Sequence, residues 1–194
     1  MRISEAQAFT LTADGGVFRE ILTDVGLALP IDQDLININD SRVHIVKALW
    51  DTGATNSVIT PNAAVLLGLK PSGVANVNHA GGSSLVNTYI VDIVLINNLH
   101  FRSVKVSECS DVVGNFDCII GMDIIARGDF SFTNVGGISV FSFRLPSLET
   151  VDYVKDIYEC QKYDKIAALW ALKGNSKCPC GSSKNFKNCH GKEL

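Results

Sequence analysis

Val43-His44-Ile45-Val46-Lys47-Ala48-Leu49-Trp50-Asp51-Thr52-Gly53-Ala54-Thr55 is the stretch that decides the reading of this chain. It alternates and then turns apolar, as a strand entering a core does, and it ends on a carboxylate. Burying that charge is costly unless it is paired or hydrogen-bonded. Thr52 adds a hydroxyl able to lock a turn, and Gly53 lets the backbone come close to whatever Asp51 faces. A carboxylate held this way is a candidate catalyst. The plainer reading is a strand-ending Asp that caps a turn, and for Asp-Thr-Gly alone it is favoured; the surrounding residues reverse the balance.

Chemistry adds a condition. An aspartic peptidase needs two carboxylates sharing one proton, one acting as base toward water and the other as acid toward the scissile carbonyl. The sequence holds no second Asp-Thr-Gly or Asp-Ser-Gly: Asp40-Ser41 runs into Arg42, and Asp14 into Gly15-Gly16. The partner of Asp51 is therefore expected to be Asp51 of a second copy, placed by two-fold symmetry.

The neighbours fit one architecture. Asn56-Ser57-Val58-Ile59 can continue as a strand, and Thr60-Pro61 supplies an N-cap and a first-turn proline for a short helix ending before Gly68. His79-Ala80-Gly81-Gly82-Ser83-Ser84 reads as the tip of a hairpin. Further on comes Phe116-Asp117-Cys118-Ile119-Ile120-Gly121-Met122-Asp123, an apolar pair before a glycine that allows another segment to pass close.

With the turn at Ala48–Thr55 and the later Asp117–Asp123 motif in this order, the chain resembles the retropepsin-like aspartic peptidases over roughly residues 8 to 145. The resemblance implies a mainly β fold, a small closed barrel working as a homodimer with one catalytic Asp per chain. It assigns catalysis to Asp51 and a brace across the dimer to Thr52. Gly53 would lie beneath the substrate, with Ala54 in the same turn, and Ile120 and Gly121 would support that turn from behind. Gly81 and Gly82 would form a flap over bound peptide. Asp117 and Asp123 are structural within it. The chain departs from the pattern in the bulky Trp50 before the catalytic position and in continuing well past the barrel.

Near the other end, Cys178-Pro179-Cys180 is followed by Cys189-His190. Three thiols and an imidazole make a complete soft tetrahedral set for zinc, with no position left for water, which argues for a structural metal. A segment this short cannot build a core, so metal must supply most of its folding energy, about 10–16 kcal/mol in comparable peptides. Disulfides or a disordered tail are the plainer alternative. Residues 178–191 resemble the SEC-C motif, with Phe186 in its aromatic position and Ser183 where glycine is frequent. That resemblance implies zinc and a docking role toward proteins or ribosomes.

Between the two lies Leu148 to Lys173, where Val151, Val154, Ile157, Tyr158, Ile166, Leu169, Trp170 and Leu172 recur at helical spacing. The organisation read from the chain is thus a peptidase domain over 1–147, an amphipathic helical segment over 148–173 and a zinc knuckle over 174–194.

At 194 residues with 46% hydrophobic content, the chain suits one main domain plus an appendage. Its net charge of −3 argues against general nucleic-acid affinity. From Gly174 onward, four lysines face Glu193 for +3, leaving −6 on the rest. Outside the knuckle Cys109, Cys118 and Cys160 make an odd number, so a disulfide framework is not expected. With no signal-like segment in Met1–Glu5 and no membrane-length apolar run, a reducing cytoplasm is the expected location.

Two functional classes follow. One is a homodimeric aspartic endopeptidase acting on protein or peptide substrate, its zinc tail docking substrate or partner. The other is a non-catalytic adaptor using the barrel and knuckle as binding surfaces. The intact Asp51-Thr52-Gly53 favours the first. A metallopeptidase is disfavoured by the closed ligand set and the lack of a Glu placed as general base.

Overall fold

A computed structural model describes residues 6–31, 36–79, 82–109, 114–169 and 174–192. The chain divides into two compact units, Met1–Leu148 and Glu149–Leu194.

In chain order the first unit contains β1 (Gln7–Thr12), β2 (Leu22–Ala28), β3 (His44–Trp50), β4 (Val58–Ile59) and α1 (Pro61–Leu66). Then come β5 (Gly73–His79), β6 (Gly82–Leu95), β7 (His100–Glu108), β8 (Cys118–Ile120), α2 (Met122–Ile125), β9 (Asp129–Thr133) and β10 (Val140–Leu145). The barrel runs β2-β3-β8-β4-β7-β6 and closes where β6 pairs back onto β2. Closure leaves those strands without a free edge. The strands alternate as the sequence suggests: Val46, Ala48 and Trp50 of β3 are buried, while Ile45 and Lys47 are exposed.

β6 serves two purposes. Its inner half closes the barrel, and its outer half pairs with β5 in register up to His79↔Gly82. Gly81, expected in the flap, lies outside the described residues. Gly82 has φ +125°, in the region that favours glycine. Where β6 shifts register between Val91 and Ile93, the buried Asp92 is held by three donors: the Ile31 N–H (3.2 Å), the Ser103 N–H (2.7 Å) and His100 Nε2 (2.9 Å). A buried carboxylate is tolerable because its oxygens are satisfied.

α1 starts as its sequence dictates. The Thr60 hydroxyl accepts the Ala63 N–H at 3.2 Å, Pro61 opens the first turn, and Gly68 follows the end with φ +61°.

A second sheet, ordered β1-β10-β9, lies beyond the barrel motif. It explains Trp50. Phe9, Phe130, Phe141 and Phe143 surround the indole with ring centroids 5.1–6.3 Å away, and Trp50 Nε1–H donates to Thr23 Oγ1 at 3.0 Å. The polar end of the indole is thereby satisfied and its body desolvated.

The first unit ends on a clamp. Asp129 accepts from Arg144, from the Ser147 hydroxyl and from the Leu148 N–H. Burial would raise its pKa, but the Ser147, Leu148 and Arg144 donors outweigh that and hold it at about 2, below the ordinary 3.8.

In the second unit α3 (Tyr153–Leu169) begins after Asp152, whose Oδ1 accepts the Lys155 N–H at 3.0 Å. The helix thus starts several residues later than Pro146-Ser147, because Asp152 is the residue that caps it. Val151, Val154, Ile157 and Tyr158 of the apolar stripe are exposed; the side chains of Ile166 and Leu169, and residues Trp170 and Leu172, lie outside the described residues. Among the described residues no helix is long and apolar enough to cross a membrane.

The Asp129 clamp has a pH signature. A depressed carboxylate pKa contributes stability above about pH 4 that is lost as pH falls toward 2. Asp129→Asn is expected to cost about 1 kcal/mol at neutral pH, after allowing for part exposure, and to flatten this limb of stability against pH. Urea titrations from pH 6 to 2.5 check it: an unchanged acid limb would show that the clamp carries no stability.

Candidate active site and metal centre

β3 and β8 run parallel with Trp50 opposite Ile120, and the ladder continues one residue further: the Asp51 N–H donates to the Ile120 carbonyl at 3.0 Å. There the chain turns. The Ala54 N–H donates to the Asp51 carbonyl at 3.2 Å, and the Gly53 N–H donates to Asp51 Oδ1 at 2.8 Å. The carboxylate is thus oriented by the backbone that follows it. A Cβ on Gly53 would sit 3.1 Å from Oδ1, close enough that the carboxylate would have to shift. Asp51 is half-buried, while Thr52 and Gly53 are exposed.

The turn rests on a second segment. β8 lies between β3 and β4, parallel to the first and antiparallel to the second, so residues 51–57 straddle it. Gly121, the residue after β8, lies so close that a Cβ there would be 2.5 Å from the Asn56 carbonyl carbon and 2.9 Å from the Ser57 nitrogen. Met122 N–H donates to the Ala54 carbonyl at 2.8 Å, tying the start of α2 to the turn. Ser57, fully buried, accepts the Gly121 N–H at 3.1 Å and donates to Asp123 Oδ1 at 2.8 Å. Across the same strand Thr60 Oγ1–H donates to Asp117 Oδ1 at 2.6 Å. Asp117 and Asp123 are both engaged by hydroxyls and hold the scaffold. Cys118 between them is buried, and burial first, then the charges of Asp123 and Asp117, push its thiol up to about 12, so it is no nucleophile.

Asp51 and Thr52 open onto a groove of about 590 Å³, walled by Phe18, Trp50, Phe130 and Phe132 and flanked by Arg19 and Glu20. The geometry brings Asp51, Thr52, Gly53, Ala54, Ile120 and Gly121 into one constellation. Gly82 belongs to a separate element, the β5–β6 hairpin. Sequence reasoning missed Ser57 and the Phe18–Glu20 segment. A lone serine in an apolar strand and a charged loop carry no local sign of what they meet after folding.

In the second unit Cys178, Cys180, Cys189 and His190 converge, with their ligand atoms all within 4.8 Å of one another. Cys180 Sγ and Cys189 Sγ are 3.6 Å apart, and His190 Nδ1 lies 3.2 Å from Cys178 Sγ and 3.4 Å from Cys189 Sγ. A tetrahedron with bonds of about 2.3 Å has edges of about 3.8 Å, so the four donors fit one zinc ion. Ser182 Oγ stands 3.1 Å from Cys180 Sγ and 3.2 Å from Cys189 Sγ. That hydroxyl is the main cause of a Cys180 thiol lowered to about 6, which favours the thiolate a metal requires. The backbone is built for the cluster: Cys178 N–H donates to the Lys184 carbonyl at 2.9 Å, and buried Phe186 forms the floor. A Cβ on Gly191 would strike the Phe186 ring at 2.6 Å. Ser183, where the motif frequently has glycine, adopts φ +61° and so carries left-handed strain.

Two substitutions test these contacts. Gly121→Ala is expected to destabilise the first unit by about 2 kcal/mol or more, because both neighbours of the added methyl are backbone; urea unfolding measures it, and a wild-type midpoint would refute the close packing. Ser183→Gly is expected to relieve about 1 kcal/mol in the knuckle, read as slower zinc extraction by a chelator.

Residues 36–124 match the family model described as aspartyl protease, and residues 175–192 match that of the SEC-C motif. No curated protein matches the chain in sequence. Among solved structures, the chain is similar to a retropepsin-like aspartic protease from Rickettsia conorii at 13% identity, covering 72% of this chain and 95% of that one, TM-score 0.43. It is similar to EIAV protease complexed with the inhibitor HBY-793 at 19% identity, covering 59% and 92%, TM-score 0.43. The retroviral protease-like domain of Ddi1 from Leishmania major is 17% identical, with 68% and 97% covered and a TM-score of 0.37. The closed barrel, with the Asp51 turn seated on Gly121, thus carries a match to an aspartyl protease model over residues 36–124, followed by a match to the SEC-C motif over residues 175–192.

Proposed function

We propose that the chain is an aspartic endopeptidase that works as a homodimer and hydrolyses peptide bonds in protein substrates. The observation that carries this reading is the Asp51 carboxylate, oriented by the Gly53 N–H at 2.8 Å and open to a groove. With one Asp-Thr-Gly per chain, the acid and the base must come from two copies. Asp51 of one protomer and Asp51 of its partner share a proton and hold the attacking water between them; one takes its proton while the other protonates the carbonyl oxygen. Thr52, exposed beside the carboxylate, braces the two turns against each other, and a flap formed with Gly81 and Gly82 closes over the bound peptide.

Zinc held by Cys178, Cys180, Cys189 and His190 plays a structural part, since the four donors leave no open coordination position. The knuckle then serves as a docking module for substrate or for a protein or ribosomal partner, and the enzyme works in the cytoplasm. Nucleic acid and membrane are not proposed as ligands.

Asp51→Asn keeps the shape of the side chain and denies the shared proton. Against a diverse peptide library from acidic to neutral pH, it is expected to cut cleavage by about a thousandfold while leaving fold and dimer mass unchanged. Equal cleavage by the variant would refute the catalytic assignment. A wild-type monomer that cleaves would refute the two-fold site, and an inert wild-type dimer would replace catalysis with peptide binding as the barrel's role.

A further inference from the structure

Tyr163, on α3, lies against the imidazole of His190: the ring centroids are 4.8 Å apart and the planes tilted by 45°. His190 turns Nδ1 toward the sulfurs of Cys178 and Cys189, so the Tyr163 contact falls on a ring whose orientation decides whether the fourth donor points at the cluster centre. The matched SEC-C motif begins at residue 175, twelve positions after this tyrosine, so Tyr163 is an addition to the motif.

The burial pattern of α3 gives this contact its weight. From Tyr153 to Lys165 every side chain is exposed except those of Tyr163 and Asp164, which are partly buried. Val154 is 81% exposed and Tyr158 68%. A helix of 17 residues is marginal by itself in water and draws its stability from packing. Over this described stretch, the packing begins where α3 meets the metal ligand.

We infer that α3 is part of the metal-binding module, with Tyr163 the positioning residue for His190. Helix docking and metal loading form one linked equilibrium. The inference rests on the reading of the Cys178, Cys180, Cys189 and His190 cluster as a zinc site. Without a shared centre, three thiols and an imidazole have no reason to converge, the knuckle loses most of its folding energy, and Tyr163 loses the surface it packs on. Linkage makes the coupling reciprocal: whatever factor zinc adds to helix docking, Tyr163 adds to zinc affinity.

The test uses the full chain, with zinc as the probe. Hydrogen exchange over residues 153–165 is followed with zinc bound and after its removal by a chelator. Zinc affinity is measured by competition with a chromophoric chelator for wild type, Tyr163→Ala and Tyr163→Phe. Stripping zinc is expected to abolish protection in α3 while the barrel strands keep theirs. Tyr163→Ala is expected to weaken zinc binding by roughly three- to tenfold, and Tyr163→Phe, which keeps the ring, by about twofold or less. Unchanged α3 protection in the stripped protein overturns the inference, and so does wild-type zinc affinity in Tyr163→Ala. A wild type that binds no zinc overturns the metal reading and the inference together, whereas zinc uptake that leaves α3 unaffected overturns the coupling alone. Should Tyr163→Ala fold poorly, the exchange comparison on wild type decides by itself.

Discussion

The contact on which the first unit depends is the one between Gly121 and the backbone at Asn56-Ser57. β8 passes between β3 and β4, so the turn from Asp51 to Ser57 has to cross a strand already paired on both sides. Two backbones meet at that crossing with no room for a side chain. Once they meet, the Asp51 N–H reaches Ile120, Met122 N–H reaches Ala54, and Ser57 can bond both Gly121 and Asp123. The carboxylate is held by a stack of main-chain contacts, which is a stiffer mounting than side-chain packing alone supplies.

Trp50 shows how the chain beyond α2 feeds back on the site. An indole immediately before Asp51 needs a large apolar enclosure, and the barrel interior does not provide all of it. β9, β10 and β1 bring four phenylalanines around it, and Thr23 satisfies its N–H. The continuation of the chain past the retropepsin-like motif is therefore part of the same core, and the groove beside Asp51 inherits its aromatic walls from that enclosure.

The second unit solves a different problem. Among its described residues few apolar side chains are buried, Phe186 and Cys178 foremost. Its order is concentrated in close backbone turns and in four convergent ligand atoms, an arrangement that becomes favourable when a cation draws those atoms together. Ser183 at positive φ marks a place where the chain tolerates local strain to keep those turns.

What the sequence determined by itself was local: the alternating strand into Asp51, the Thr60-Pro61 helix start, and a soft donor set at Cys178-Pro179-Cys180 and Cys189-His190. Each is legible because the residues that create the feature are neighbours along the chain, so spacing alone states the physics. Tertiary structure decided the rest. Ser57 meets Asp123 across 66 positions, and Phe18 meets Ser139 across 121, placing its aromatic ring at a groove no local pattern announces. Asp92 and His100, close in sequence, form a buried pair only because β6 and β7 lie side by side in the folded barrel. A side chain's partner across a closed barrel is set by which strands pair and in what register, and that information resides in the whole core rather than in any segment of it.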